Sequence, residues 1–165
     1  MLSNLYEILE DAINRPLKDW HAYRCDNGTQ NLDRLSFLMD ERFEVQINKI
    51  RHSKGPHCHG CNLLSVILQE GYEWWLQQYG STKPIYMFSS PFSIITMNPE
   101  DTHWIPNLKT PSVSLCVFDH QSDWHKHYCE VSPLSAQESG LILISATWRM
   151  KQFLEMFPNR FGDEK

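Results

Sequence analysis

Three histidines have the residue type and the spacing of a metal site. His57 and His59 are two residues apart, so in an extended strand both side chains leave the same face, with Cα atoms about 6.6 Å apart. His103 lies in the segment NPEDTHWIPN, at the predicted start of another strand. Imidazole is a common ligand of divalent transition metals. The spacing suits two imidazoles that bind one metal ion, with His103 as a third candidate ligand, but a bare pair at this spacing is more often found on the surface. The prediction of a metal site at His57, His59 and His103 therefore depends on the segments around them.

The chain around these histidines is predicted to form mostly β-structure. From Phe43 to Arg51 apolar and polar residues alternate, which is typical of a half-buried strand. A loop, SKGP, is predicted to follow it. Short apolar runs, each bounded by Gly, Pro, Asn or Ser, predict further strands over residues 63–69, 85–88, 94–97 and 113–118. Successive strands with short connections predict an antiparallel barrel or sandwich.

Helical periodicity is confined to the two ends of the chain. Leu5, Leu9 and Ile13 recur at intervals of four residues before Pro16, which predicts a short amphipathic helix. Apolar residues between positions 141 and 157 recur at helical spacing before the next proline. The sequence thus predicts a helix on each side of the strands.

The composition fits one globular domain. The chain has 165 residues, of which 41% are hydrophobic, so a core can form without a metal or a disulfide. The net charge of −5 argues against a nucleic-acid partner. No apolar stretch approaches a membrane span and the first residues are acidic, so we expect a cytoplasmic protein without a membrane partner. The cysteine count of 5 is odd, and we expect free thiols.

The segment that holds His57 and His59 resembles the first motif of the cupin family. These two histidines and Gly71 fall at the spacing of that motif, and Leu64 stands where the motif has a glutamate. Two histidines and a carboxylate would place a negative charge on the metal, whereas three neutral imidazoles leave a divalent ion uncompensated. We therefore expect the metal to take an anionic ligand, such as a thiolate or an enolate.

A later segment resembles the second cupin motif. It is matched at Pro99, His103 and Asn107, with one residue fewer than usual between the proline and the histidine and without the motif's glycine. The two motifs imply an all-β fold, the cupin-type double-stranded β-helix or jelly-roll barrel, with a short N-terminal helical region and a C-terminal helix. The implied organisation is a single cupin domain over residues 1–165, with the helical region at about 1–40, the barrel at about 41–131 and the helical tail at about 134–158.

Within the cupins, the chain from about residue 19 to 131 resembles the thiol dioxygenases. HCHGCNLLSVILQEG is similar to their ligand segment without gaps. DWHAYRC and NLDRLSF resemble their helical entry and the arginine that binds the substrate carboxylate, here Arg34. In SVSLCVF, Ser114 is kept, Cys116 replaces the family's histidine and Phe118 replaces its tyrosine. The resemblance implies Fe(II) as the metal and the following substrate-binding residues: Arg34, Leu64, Ser114, Cys116 and Phe118.

Three of these positions depart from the animal-type cysteine dioxygenases. In those enzymes the position of Leu64 is a cysteine that becomes cross-linked to a tyrosine, and with Leu64 and Phe118 here no such thioether can form. Cys116 and Phe118 also remove the imidazole and the hydroxyl that orient dioxygen and substrate in the family. Arg34 would hold a carboxylate through two parallel hydrogen bonds, but its sequence fits a surface arginine equally well. The metal is expected to be retained in an altered pocket.

The sequence therefore predicts a mononuclear non-haem iron-dependent oxygenase that oxidises the sulfur of cysteine or a similar small thiol carboxylate with O2. Two alternatives stay open: a three-histidine cupin dioxygenase that cleaves a C–C bond of an enolisable substrate, and a non-catalytic metal-bound cupin sensor. The expected partners are a small-molecule thiol and O2, and the barrel could be a monomer or a homodimer. A second pair, His125 and His127, could be a further metal or pocket site or a solvated turn.

Overall fold

The computed structural model of the protein describes residues 4–119 and 131–158. These residues form two α-helices, one short 3-10 helix and ten β-strands. In chain order the elements are α1 (Leu5–Asn14), the 3-10 helix (Leu17–Asp19), β1 (His21–Asp26), β2 (Gln30–Met39), β3 (Phe43–His57), β4 (Asn62–Gln69), β5 (Tyr72–Gln77), β6 (Ile85–Ser89), β7 (Ile94–Met97), β8 (Thr102–Ile105), β9 (Ser112–Asp119), β10 (Val131–Pro133) and α2 (Ala136–Met156).

The barrel is organised around β3, because two different strands pair with one edge of it. Residues 43–50 of β3 pair with β9, which pairs in turn with β4, and β4 with β7. From Ser53 onward β3 pairs with β8, which is followed by β5 and β6. The two groups of strands are antiparallel and enclose a cavity between them. This arrangement is a jelly roll, which confirms the predicted all-β fold class.

Alternation along the strands divides the apolar residues between two cores. On β4, Leu64 and Val66 belong to an outer core that includes residues of both helices, while Leu63 and Ile67 belong to an inner core inside the barrel. Successive side chains in a strand point to opposite faces. Cavity residues therefore come from alternate positions of each strand, except on β3, where a shift of register places Ile50 and Ser53 on the same face.

The helix α2 covers the outer core, as expected of a C-terminal helix. Ser135 caps its first turn, where the side-chain oxygen accepts a hydrogen bond from the backbone N–H of Glu138 at 3.1 Å. The buried face of the helix recurs at helical spacing and includes Ile142, Ala146, Met150 and Phe153. Burying a side chain of the size of Met or Phe stabilises a fold by about 1.5–3 kcal/mol, so this face fastens the helix to the barrel.

The structure corrects the prediction of a helical region over residues 1–40. After α1 and the 3-10 helix, β1 and β2 form a hairpin that extends the sheet beside β3. The hairpin turns at Asn27, whose side-chain oxygen accepts hydrogen bonds from the backbone N–H groups of Thr29 and Gln30, and at Gly28, which has a positive φ of 81°. An Asn-Gly pair between two alternating runs is the sequence signal that indicates such a hairpin.

The structure also shows that the predicted loop SKGP is part of β3. The strand continues through this segment to His57. Its register with β8 shifts on the way: Ser53 pairs with Ile105 and His57 pairs with His103, so four residues of β3 lie opposite two residues of β8. Such a bulge re-aims the side chains of the longer strand. Since β3 ends at His57, His59 lies just beyond the strand and not inside it as the alternation predicts.

The thiols differ from the prediction at one position. Cys58, Cys61 and Cys116 are free, whereas Cys25 is disulfide-bonded. An odd number of cysteines excludes complete pairing but permits a single bond. Burial, with a further effect of two nearby carboxylates, raises the pKa of Cys61 to about 11, so this residue stays a thiol at neutral pH.

None of the helices in the described part of the chain has the length and the apolar character needed to span a bilayer.

Candidate metal site and substrate cavity

Three histidine rings meet in the wall of the barrel cavity. His57 and His103 are directly paired across β3 and β8, and their ring centroids are 4.5 Å apart. His59 brings its ring to 5.0 Å from each of the other two. One nitrogen from each ring lies within 4.8 Å of the other two nitrogens. The structure thus brings together the residues that the sequence predicts to bind a metal.

The spacing of the donor atoms fits one divalent ion. The Nε2 atoms of His59 and His103 lie 2.9 Å apart. Two imidazoles bound at right angles to one ion, each at about 2.1 Å, would hold their nitrogens about 3.0 Å apart, whereas a tetrahedral ion would separate them by about 3.4 Å. The observed distance therefore matches two ligands at adjacent positions of an octahedron, and the third nitrogen lies within 4.8 Å of both. The remaining positions would be open to other ligands.

Two features keep the ring nitrogens available to a metal. His57 Nδ1 lies 2.8 Å from the carbonyl oxygen of Gly55. The Nδ1–H group donates this hydrogen bond, which leaves the lone pair of Nε2 for an ion. The pKa of His103 is lowered to about 3, first by burial and second by the charge of the neighbouring His57. His103 is consequently neutral at physiological pH, and neutral imidazole is the form that binds metals.

The histidines line a cavity of about 70 Å³ between the two groups of strands. At about 12 Å³ for each water this volume holds roughly six water molecules, so it suits a ligand of few atoms. Much of its wall is apolar, including Leu63 and Met97. The ring of Trp74 lies 6.2 Å from that of His103, and the ring of Phe118 lies 5.2 Å from that of His59. These side chains limit the water around the metal position.

Four of the residues predicted to bind substrate line this cavity together with the histidines: Arg34, Ser114, Cys116 and Phe118. The three on β9 occupy alternate positions, so all of them face the barrel interior. Arg34 reaches the same space from β2. Their contact with a substrate remains a prediction.

Leu64 does not line the cavity, and its predicted role in substrate binding is wrong. It is 1% exposed and belongs to the outer core. The alternation of β4 turns its neighbours Leu63 and Ser65 inward instead. The spacing of the first motif pointed to Leu64, which lies in the outer core, whereas the cavity residue is its neighbour Leu63.

Arg34 is held in the cavity by uncharged partners. Its Nε donates a hydrogen bond to Asn48 Oδ1 at 2.7 Å, and its Nη1 donates one to the Tyr23 hydroxyl at 3.3 Å. Asn48 in turn donates to Gln46, and Gln46 to Glu44, along β3. None of the described residues forms an ion pair with Arg34. A cation in this position favours an anionic ligand.

Cys116 is surrounded by hydroxyl groups in the cavity wall. Its Sγ lies 3.5 Å from Ser65 Oγ and 3.6 Å from Ser114 Oγ. The pKa of Tyr72, which also lines the cavity, is raised by burial and by the nearby sulfur of Cys116, so Tyr72 remains a neutral phenol. These groups offer hydrogen bonds without charge. Carboxylates are absent from the described residues that line the cavity.

The chain matches no protein-family model and no curated protein. Its backbone resembles several solved structures. HppE in its Fe(II) form with substrate gives a TM-score of 0.52 at 5% identity, over 63% of this chain and 58% of that chain. A tryptophan-to-tyrosine variant of oxalate decarboxylase from Bacillus subtilis gives 0.50 at 13% identity, over 64% of this chain and 28% of that chain. The cupin domain of Drosophila melanogaster CENP-C gives 0.47 at 9% identity, over 70% and 96%.

This chain has the cupin fold. The similarity concerns the fold alone, because the identities are low and the chain spans little more than half of the HppE structure and 28% of the oxalate decarboxylase. A cupin barrel with a three-histidine cluster is what the structure establishes. The resemblance to the thiol dioxygenases stays a prediction.

The cavity wall also contains a residue that was not predicted from the sequence, Asn48, which accepts the hydrogen bond from Arg34. Gln46 and Asn48 were expected on the polar face of a half-buried strand, yet both are 3% exposed. Both faces of β3 are covered, because the outer core lies on one side and the cavity on the other. Polar residues at alternate positions of a strand between apolar ones are the signal that could have indicated a polar cavity wall. His125 and His127 lie outside the described residues.

Proposed function

We propose that this cupin is a mononuclear non-haem iron-dependent oxygenase that acts on cysteine or a similar small thiol carboxylate and oxidises the sulfur with O2. The observation that carries the proposal is that the three-histidine cluster and Arg34 line the same small cavity. The histidines offer a metal position and Arg34 offers a cation. A thiol carboxylate has one group for each of them.

The proposed cofactor is Fe(II), held by His57, His59 and His103. The spacing of the His59 and His103 nitrogens supports adjacent octahedral positions, a geometry that Fe(II) accepts readily. When bound, Fe(II) would supply open positions for a thiolate and for O2, together with the redox chemistry that O2 requires. The protein's own part is to hold the imidazoles neutral and oriented, which the Gly55 carbonyl does for His57.

The charges in the cavity support an anionic ligand. A divalent ion on three neutral imidazoles keeps its full charge, and the described cavity residues include no carboxylate that could compensate it. Arg34 adds a second positive centre in the same space. A substrate with two acidic groups, a thiol and a carboxylic acid, matches both centres.

The separation of the two centres suits a small molecule. Arg34 pairs with Asn48 across β2 and β3, and Asn48 pairs with Ser114 on β9. Phe118, whose ring contacts His59, lies four residues further along β9, which is about 13 Å of strand. Both centres border one cavity of about 70 Å³, which limits the ligand to a molecule of few atoms.

A cytoplasmic location is part of the proposal and has its own test. A reducing compartment keeps small thiols available as substrates, but it would also reduce ordinary disulfides. We therefore expect Cys25, which is disulfide-bonded in the structure, to be recovered as a free thiol when cells are lysed in the presence of an alkylating reagent. Recovery of the oxidised form would favour an oxidising compartment.

The decisive experiment is substrate-dependent O2 uptake by protein loaded anaerobically with Fe(II). The panel contains cysteine, 3-mercaptopropionate, cysteamine and an enolisable diketone, and the His103→Ala protein is the control. We expect uptake with the thiol acids, loss of uptake in the control, and a sulfur-oxidised product by mass spectrometry. Uptake with the diketone alone would establish the C–C-cleaving alternative. No uptake by fully metal-loaded protein would leave the non-catalytic sensor.

A further inference from the structure

Ser53 has a hydroxyl group for which the described part of the chain provides no partner. The residue is 5% exposed, and its Oγ makes no hydrogen bond to any of the described residues. Buried hydroxyl groups in folded proteins are nearly always hydrogen-bonded, because an unpaired one loses its bonds to water without replacement. Ser53 lines the same cavity as the three histidines and Arg34. The cavity's ligand is therefore the natural place to seek the missing partner.

The register of the sheet places Ser53 beside the metal position. Ser53 pairs with Ile105 across β3 and β8, and the next pair is His57 with His103. On β8 these pairs are two residues apart, or about 7 Å. Arg34 lies in another direction. Ser53 pairs with Gln30 on β2, and Arg34 is four residues, or about 13 Å, further along that strand. The three groups thus approach the cavity from three places.

The other cavity hydroxyls differ from Ser53 in this respect. Ser65 and Ser114 both contact the sulfur of Cys116. The register shift between β2 and β3, which leaves one extra residue on β3 between Ile50 and His52, is the local feature that brings Ser53 to the cavity face. Among the described serines that line the cavity, Ser53 is therefore the one whose hydroxyl group has no hydrogen-bond partner.

We propose that Ser53 binds a third polar group of the ligand, an amino or hydroxyl group on the carbon next to the carboxylate. The inference rests on the proposed function, which assigns the thiol to the metal and the carboxylate to Arg34. Three different attachment points distinguish the mirror images of a chiral ligand. The cavity therefore selects one enantiomer of an α-substituted thiol acid, such as cysteine, over unsubstituted 3-mercaptopropionate.

The test measures affinity and needs no turnover. Co(II)-loaded protein is titrated anaerobically with L-cysteine, D-cysteine and 3-mercaptopropionate, and the absorption of the cobalt–thiolate bond reports binding at the site. We expect one cysteine enantiomer to bind about tenfold more tightly than 3-mercaptopropionate, as one hydrogen bond to a charged group would give. In Ser53→Ala this preference should vanish while the affinity for 3-mercaptopropionate is unchanged. Ser53→Thr, which keeps a hydroxyl, should retain part of the preference.

A stability measurement separates ligand binding from a structural role of Ser53. Removing an unpaired hydroxyl should leave the melting temperature of the ligand-free protein unchanged or raised. The matched control is Ser112→Ala, which removes a buried serine that donates to the Gln69 carbonyl at 3.1 Å and does not line the cavity. This control should keep the preference among the thiols.

Two outcomes would overturn the inference, and they are distinguishable. If Ser53→Ala keeps the wild-type preference while the thiols still bind, Ser53 does not contact the ligand and the proposed function is unaffected. If none of the thiols binds to the wild-type metal site, the inference falls together with the proposed function, and the O2-uptake panel would show the same failure independently.

Discussion

Leu63 and Phe118 lie directly opposite each other on β4 and β9, and both side chains line the cavity beside the three histidines. This apolar pair occupies the side of the metal position that faces β4, since the Phe118 ring is 5.2 Å from the ring of His59. No carboxylate reaches the metal position from this side among the described cavity residues. The charge of a bound ion would therefore be met by its ligand and not by the protein.

Replacing Leu63 by Glu should add a carboxylate to the metal site. We expect Leu63→Glu to retain its metal or to bind it more tightly, and to bind thiolates at least tenfold more weakly, because the carboxylate compensates the charge of the ion. Metal analysis and thiol titration of the cobalt form would measure the two effects. Leu64→Glu is the matched control: it buries a charge in the outer core and should unfold the protein. Equal thiol affinity in Leu63→Glu and wild type would show that the substrate does not meet the metal as an anion.

Removing any one of the three histidines should remove the metal and leave the barrel folded. We expect close to one metal per wild-type chain and only a small fraction of that in His57→Ala, His59→Ala or His103→Ala. The two cores are formed by other residues, so circular dichroism should remain that of the wild type. Metal analysis after dialysis checks the prediction, and full occupancy in His103→Ala would contradict it.

Truncating Arg34 should weaken the use of carboxylate-bearing thiols. Arg34→Ala is expected to reduce kcat/KM for cysteine by about 30- to 1000-fold, equivalent to about 2–4 kcal/mol, through loss of a charge-assisted double hydrogen bond. Arg34→Lys should recover little, because a single ammonium group cannot reproduce the planar fork. Cysteamine has no carboxylate and should respond little to either change. An equal response of both thiols would make Arg34 a structural residue.

Arg24 provides the control for Arg34. It pairs with Asp33 at 2.7 Å and with Glu138 at 2.8 Å, so its charge is already compensated outside the cavity. Arg24→Ala should lower stability while leaving the ratio of kcat/KM for cysteine and cysteamine unchanged. A change in that ratio would mean that Arg24 contacts the substrate.

We expect the free energy of unfolding to decrease at acid pH because the carboxylate of Asp33 becomes protonated. Burial alone would raise the pKa of this carboxyl, but hydrogen bonds from Arg51 and Arg24, and then their charges, outweigh it and hold the pKa below the ordinary value. Its contribution is therefore complete above the ordinary pKa of about 3.9 and is lost as the pH falls through the lower pKa of the folded protein.

Urea unfolding between neutral pH and pH 3 would measure this effect. We expect Asp33→Asn to lower the free energy of unfolding at neutral pH by roughly 1–3 kcal/mol, less than for a fully buried pair because both arginines are partly exposed. The variant should also lose less stability than the wild type on acidification. Asp26→Asn, at an exposed position of β1, should behave like the wild type. A parallel acid dependence in Asp33→Asn would assign the effect to other groups.

The sequence by itself indicated the jelly roll, the two flanking helices and the three histidines. Alternation predicted the strands of an antiparallel barrel or sandwich, and helical spacing predicted the helix between positions 141 and 157. The jelly roll and the set of three histidines were implied by the resemblance to the two cupin motifs. Gly71 belongs with them, since a Cβ at this position would collide with the backbone carbonyl of Ser89, and only glycine permits that approach.

Only the tertiary structure decided which neighbours of the histidines face the cavity. Whether Leu63 or Leu64 faces inward depends on where β4 begins, because a shift of one residue moves every side chain to the other face. Ser53 faces inward because the register between β2 and β3 shifts and leaves one extra residue on β3 between Ile50 and His52. Asn48 holds Arg34 only because β2 lies beside β3. Local patterns do not record pairings between distant segments, and these pairings determine the chemistry of the cavity wall.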